Sequence, residues 1–110
     1  MIETIICNYL SGVLDCPVKA TKNDRPPGRS VFVERTGGNG RFIKHTTVAI
    51  QSYGTSMYEA AQLNDEVIEK LYGMVTLNEI TKISLNQNYN FTDLETKEYR
   101  YQAVFDITHY

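Results

Sequence analysis

The sequence predicts an α+β protein, a two-layer sandwich with two helices on one face of a mainly antiparallel sheet of four to five strands. Two observations predict this class. Apolar residues recur every three or four positions in two separate segments, as on the buried face of a helix. Apolar and polar residues alternate over residues 99–110, as in a strand with one buried face. The chain has 110 residues, so we expect a single domain spanning 1–110.

The first helix is predicted to begin at Ile2. It should end at Cys16-Pro17, because the residue before a proline is pushed out of the helical region. Residues 18–20 are then predicted as a short first strand. Residues 21–28, with two prolines and a glycine, are predicted as a loop. The apolar stripe of the helix consists of Ile2, Ile5, Ile6, Tyr9, Leu10, Val13 and Leu14.

Two strands and a hairpin are predicted next. Residues 30–35 are rich in β-branched and aromatic side chains, which favours a strand. Residues 36–40 contain three glycines and are predicted as the hairpin connection. Residues 42–53 are predicted as a long strand, with Val48 and Ile50 on one face and Ala49, Gln51 and Tyr53 on the other.

The second helix has the clearest predicted boundaries. Ser56 and Glu59 form a capping box at its start, and Gly73 is predicted to stop it. Asn64 and its polar neighbours are predicted to face water. A strand over residues 80–85 runs toward an Asn-rich tract, residues 91–98 form a loop, and residues 99–110 form the last strand. The predicted order is α-β-β-β-α-β-β, and the stripe of the second helix is Ala60, Leu63, Val67, Ile68, Leu71 and Tyr72.

Charge is distributed unevenly along the chain, although the formal net charge is only −2. Between Lys19 and Lys44 lie seven basic and two acidic residues. From residue 45 onward nine acidic residues face four basic ones. One half of the chain could therefore attract the opposite half of a neighbouring copy.

No set of residues with enzymatic chemistry emerges, so we predict a non-enzymatic protein without catalytic residues, metal or cofactor. His45 and His109 lie in predicted strands without ligands at metal-site spacing, and we expect them at the surface or half-buried. Cys7 and Cys16 are predicted to be free thiols of a protein made in the cytoplasm. Neither a signal peptide nor a membrane-spanning apolar run is predicted.

The glycine-rich segment 36–41 could suggest a phosphate loop. Such a loop needs a helix after it, whereas a strand is predicted here, so we favour a hairpin. The basic stretch from Lys19 to Lys44 could also suggest nucleic-acid binding. Because the chain is acidic as a whole, nucleic-acid binding is not expected as its main function. A weakly positive face would suit contact with DNA passing beside it.

Five segments together resemble the tail terminator, or tail-completion, proteins of siphophages and prophages, which are small minor capsid or minor tail proteins of the head–tail gene cluster. No single segment is diagnostic; their order and spacing along nearly the whole chain carry the resemblance. Tyr53 stands where tryptophan is common in such proteins, and the N-terminal helix is short. The segments are FVERTGG (32–38), RF (41–42), TVAIQSYG (47–54), SMYEAA (56–61) with Leu63, and YRYQAVFDIT (99–108).

The resemblance implies a mixed α/β fold and a homo-hexameric ring in the virion, at the head-proximal end of the tail. The ring would cap the tail tube and join it to the head–tail connector protein, with DNA passing through its lumen. Partners would be further copies, the tail tube protein and the connector protein, and no membrane. We predict subunit or tube contacts in loops 21–29 and 36–44, at Arg25, Arg29, Arg35, Gly37, Gly38, Gly40, Arg41 and Lys44.

Three alternatives stay open at this point. A head-closure or connector component of the same gene cluster is the nearest. A phage-encoded binding module, such as a host-takeover factor, would be monomeric. A small enzyme is the third, although no base, nucleophile or metal set converges in the sequence. The oligomeric state discriminates best among them.

Overall fold

The computed structural model describes residues 2–20, 28–40, 42–93, 95 and 98–110. Within them, two α-helices and five strands follow the predicted order α-β-β-β-α-β-β, so the α+β class is confirmed. The elements are α1 (Ile2–Val13), β1 (Val18–Lys19), β2 (Ser30–Asn39), β3 (Lys44–Gly54), α2 (Met57–Tyr72), a 3-10 helix (Gly73–Thr76), β4 (Ile80–Asn90) and β5 (Tyr99–His109).

The five strands form one sheet in the order β1-β2-β3-β5-β4. β1 pairs with β2 in parallel, and the other three pairings are antiparallel, as predicted for a mainly antiparallel sheet. The β3–β5 pairing runs without a register shift from Lys44 opposite His109 to Gly54 opposite Tyr99. β3 and β5 are therefore the long, continuously paired strands at the centre of the sheet.

Both helices pack on the same face of the sheet, which makes the predicted two layers. Ile6 and Leu10 of α1, and Leu63 and Leu71 of α2, are fully buried there. Burying each such side chain stabilises the fold by roughly 1.5–3 kcal/mol relative to leaving it exposed. The sheet residues beneath them are Val31, Val33, Val48, Ile50, Ala103, Phe105 and Ile107.

The start of α2 forms a cap close to the predicted one. Ser56 Oγ accepts a hydrogen bond from the Glu59 N–H at 3.2 Å, so the N-cap is confirmed. The Glu59 carboxylate, however, accepts from the N–H of Thr55 at 3.0 Å rather than from that of Ser56. The return bond of the capping box thus reaches one residue further back.

The predicted stop of α2 at Gly73 is confirmed, because the α-helix ends at Tyr72 and Gly73 is its C-cap. The φ of −66° and ψ of −18° at Gly73 are helical rather than left-handed, and a 3-10 helix continues to Thr76. One expectation for α2 is wrong. Asn64 does not face water, since 1% of it is exposed. Its side-chain Nδ2 donates to Asn88 Oδ1 at 2.7 Å, which satisfies the amide nitrogen. The buried Oδ1 of Asn64 has no hydrogen-bond partner among the described residues.

The predicted hairpin connection over residues 36–40 is also wrong in position. β2 continues through Gly37 and Gly38, which pair with Thr47 and Thr46 of β3 after an irregularity at Thr36. The chain therefore turns between Asn39 and Lys44 instead. Of the predicted loop 21–28, residues 21–27 lie outside the described part of the chain.

Candidate interaction surface

The β2–β3 hairpin ends in an exposed segment that we call the hairpin arm, residues 34–40 and 42–45. All of these residues are exposed. The arm carries an apolar tip, because the Phe42 side chain is 88% exposed and Ile43 is 48% exposed. Two large apolar side chains held side by side in water are a feature typical of interaction sites.

The turn of the arm requires glycine at one position. Gly40 has φ of +109°, a conformation that residues with a side chain rarely adopt. A Cβ atom there would also lie 2.2 Å from the Ile43 carbonyl oxygen. At Gly37, by contrast, a Cβ would meet no described atom within 4 Å. Gly40 therefore sets the geometry that presents the apolar tip.

Arg35 and Lys44 contribute positive charge to the arm. The Arg35 side chain is 56% exposed, and its Nε lies 3.9 Å from Glu3 Oε2 of α1. Lys44 is exposed beside the apolar tip. The structure brings five of the predicted site residues together along a shallow depression of about 530 Å³. It is lined by Arg35, Thr36, Gly37, Gly38, Asn39, Gly40, Lys44 and Thr46.

Arg29 lies away from this group, at the other end of β2. Gly37 follows it by eight residues, a distance of about 26 Å along an extended strand at ~3.3 Å per residue. The guanidinium group of Arg29 binds the Asp15 carboxylate, and its Nη2 lies 3.1 Å from Glu66 Oε2. Arg29 thus connects the end of α1 to α2. The other two predicted site residues, Arg25 and Arg41, lie outside the described residues.

The ion pair of Arg29 changes the titration of its partner. The hydrogen bond and the positive charge of Arg29 lower the pKa of Asp15 from its ordinary value of 3.8. In turn, the hydrogen bond with Asp15 raises the pKa of Arg29. These two residues act within one chain, which is a structural role.

A second surface was not foreseen from the sequence. We call it the α1 groove: a cavity of about 350 Å³ between α1 and the segment after the 3-10 helix, lined by Ile5, Asn8, Tyr9, Leu77 and Glu79. Ile5, Tyr9 and Leu77 are half-buried, whereas Asn8 and Glu79 are exposed. Backbone hydrogen bonds hold one wall, with the Leu77 N–H donating to Met74 and the Tyr110 N–H to Glu79. The α1 groove is therefore an open depression with half-buried apolar residues in its lining and an exposed carboxylate beside them.

The sheet face opposite the helices is also ordered by side chains. The hydroxyl of Tyr53 donates to Gln51 Oε1 at 2.8 Å, and Gln51 Nε2 donates to Gln102 Oε1 at 2.9 Å. Gln102 Nε2 then donates to the hydroxyl of Tyr89. This chain of hydrogen bonds crosses β3, β5 and β4 and satisfies the buried amide of Gln51.

Arg100 adds a cation to this face. Its Nη1 donates to the Tyr53 hydroxyl at 3.3 Å, and its Nε donates to the Phe91 carbonyl at 2.7 Å. The guanidinium carbon lies 4.6 Å from the centroid of the Phe91 ring, a cation–π contact. Because each of these groups has a partner within the chain, we assign this network a structural role.

The cysteine thiols and the histidines are the side chains most suited to nucleophilic or metal-binding roles. Burial is the main cause that raises the pKa of the Cys7 and Cys16 thiols, so thiolate is disfavoured at both. His45 is exposed, as expected. His109 is not: it is 5% exposed, and its Nε2 lies 2.8 Å from Thr46 Oγ1. Across the described residues, no three His, Cys, Asp or Glu side chains are grouped so that they could hold a metal ion.

Comparison with known proteins found no matching family model and no matching curated protein. Among the described helices, none combines the length and apolar character needed to cross a membrane.

Proposed function

We propose that this chain is a non-enzymatic structural protein of phage virion assembly, a tail terminator that caps the tail tube as a ring of six copies. Its partners are further copies of itself, the tail tube protein and the head–tail connector protein. One observation carries the proposal: the hairpin arm holds Phe42 and Ile43 in water at its tip. The likeness of the sequence to tail terminators, over nearly the whole chain, supplies the particular role.

An exposed apolar tip supports self-assembly for a physical reason. Fully burying a phenylalanine or isoleucine side chain contributes roughly 1.5–3 kcal/mol, and that contribution is absent while the tip faces water. The tip follows paired strands of the sheet and a glycine turn, so little ordering is needed before it binds. A contact that joins two different patches on neighbouring copies closes into a ring when the rotation between copies allows it.

Charge supports the same proposal. The arm belongs to the segment 19–44, which holds seven basic and two acidic residues, whereas the rest of the chain is acidic. Opposite patches on neighbouring copies would guide association and fix its orientation. Glu79 is an exposed carboxylate that a positive arm would approach.

Reversing charge at two arginines of the predicted interface tests this proposal. The double variant Arg35→Glu/Arg41→Glu is expected to sediment as smaller species than the wild type. Its control, Lys70→Glu/Lys82→Glu, makes the same change in net charge at exposed positions on α2 and β4. A wild-type sedimentation profile in the arm variant would contradict an interface at the arm.

A further inference from the structure

The apolar tip and the α1 groove lie toward the same end of the sheet. Lys44, next to the tip, stands opposite His109, and His109 stands opposite Ile80. Glu79 of the groove directly precedes Ile80. Phe42 does not fill the groove of its own chain, because 88% of it is exposed. The molecule thus presents a convex apolar feature and a concave one as separate surfaces.

We propose that the tip formed by Phe42 and Ile43 binds in the α1 groove of a neighbouring copy. This inference rests on the proposed function, since it names the contact that joins adjacent subunits of the ring. The groove offers about 350 Å³, the volume of roughly a dozen water molecules at ~30 Å³ each, which accommodates an aromatic side chain. Ile5, Tyr9 and Leu77 supply its apolar lining.

Charge complementarity supports a second copy as the occupant. Lys44 is exposed beside the tip, and Glu79 is exposed at the rim of the groove. Seating the tip would bring these opposite charges toward each other. Tip and groove are different surfaces, so the tip of one copy can enter the groove of the next in a head-to-tail contact. Contacts of this kind propagate from copy to copy, as a ring requires.

A mixing experiment tests the contact directly. The tip variant, Phe42→Asp, keeps its groove; the groove variant, Asn8→Arg/Glu79→Lys, keeps its tip and changes residues that are exposed. Without burial of the Phe42 ring at the contact, self-association should be weaker roughly tenfold to a hundredfold. At concentrations where the wild type associates, each variant alone should therefore be mainly monomeric, measured by sedimentation velocity. An equimolar mixture should form a dimer and stop there, because one intact tip meets one intact groove.

Controls separate the contact from misfolding. Tyr58→Asp removes another exposed aromatic, 76% exposed on α2, and should leave association unchanged. Circular dichroism and thermal melting should show that all variants are folded. A charge exchange gives a second measurement: Lys44→Glu and Glu79→Lys should each weaken association by roughly twofold to fivefold, and their combination should restore it.

The outcomes distinguish this contact from the proposed function. If the wild type associates and the tip variant associates equally well, the contact is wrong while a ring remains the proposed assembly. A mixture that yields no dimer also overturns the contact. A wild type that stays monomeric at every concentration also overturns the tip–groove contact. The proposed ring is then tested separately, by electron microscopy of the chain mixed with tail tubes.

Discussion

Two carboxylates converge on Arg29, one from each helical segment of the core layer. Asp15 follows α1, and Glu66 belongs to α2, so the guanidinium group ties together chain segments far apart in sequence. The Asp15 carboxyl is mostly exposed, with 83% of its side chain in contact with water. Such exposed pairs contribute modestly to stability, but they leave a signature in its pH dependence.

Asp15→Asn should reduce stability above pH 3.8 and have no effect in strong acid. The Arg29 pair lowers the pKa of Asp15 below its ordinary value of 3.8, which applies in the unfolded chain. The contribution is therefore fully present above that value and is lost as the pH falls through the folded-state pKa. Urea unfolding of both proteins as a function of pH measures the difference.

Asp65→Asn is the matched control, since it removes one carboxylate from an exposed position on α2. A gap between wild type and Asp15→Asn that persists unchanged to the lowest pH would contradict the ion pair. So would an equal loss in the control.

For individual residues, the sequence shows which side chains are charged or polar, but it does not show their hydrogen-bond and ion-pair partners. Arg29 was predicted as an interface residue because it lies in a basic segment, yet its carboxylates lie 14 and 37 positions away. Thr46 and His109 form a buried side-chain hydrogen bond, but they are 63 positions apart, so no local pattern predicts it. Asn64 likewise owes its burial to Asn88. Long-range pairing decides the role of each of these polar residues.

Among the elements, the start of α2 is local and was predictable. Ser56 and Glu59 are three positions apart, and their cap needs no other part of the chain. The end of α2 at Gly73 was predictable as well, but the 3-10 helix that follows it was not. A Cβ at Gly73 would lie 2.5 Å from the hydroxyl oxygen of Tyr9, so α1 packs closely against this glycine.

The position of the hairpin turn also could not be predicted from local sequence alone. Three glycines lie between residues 37 and 40, and each is a turn signal by itself. Instead, β2 continues through Gly37 and Gly38, which pair with β3, and the positive φ is found at Gly40. Phe42 and Ile43, predicted to lie in a strand, consequently come to the exposed tip.

Substituting alanine at two of these glycines distinguishes their roles. Gly40→Ala should lower the free energy of unfolding by about 1–3 kcal/mol, because a side chain there is strained at φ +109° and meets the Ile43 carbonyl. Gly37→Ala should stay within about 0.5 kcal/mol of the wild type, because the added methyl group has open space. Chemical denaturation at neutral pH measures both.

Equal losses in the two variants would contradict the assignment of the turn to Gly40. A Gly40→Ala protein as stable as the wild type would contradict it as well. Since the turn orients the tip, Gly40→Ala should also weaken any association that depends on Phe42.

For the molecule as a whole, periodicity was sufficient to predict the class and the order of elements. The stripes of α1 and α2 and the alternation of β5 each mark one buried face, and those faces form the single core beneath the helices. Burial of the opposite sheet face around Gln51 and Tyr53 could not be predicted, because it depends on a hydrogen-bond chain across three strands. The α1 groove, formed by α1 and residues near 77–79, was missed for the same reason.

The candidate site was predicted in part. Arg35, Gly37, Gly38, Gly40 and Lys44 do lie together on the arm, whereas Arg29 does not join them. The apolar tip could not be predicted from the sequence, because only the structure shows that Phe42 and Ile43 are exposed. The proposed ring combines these surfaces: a positive, apolar-tipped arm on one side and an acidic-rimmed groove to receive it.

The most direct measurement is electron microscopy of the purified chain, alone and mixed with purified siphophage tail tubes. The account predicts rings of six copies, seated at one end of the tubes. It further predicts that Phe42→Asp abolishes both the rings and the capped ends, while Tyr58→Asp preserves them. A chain that forms no ring in either sample and leaves tube ends bare would contradict the account.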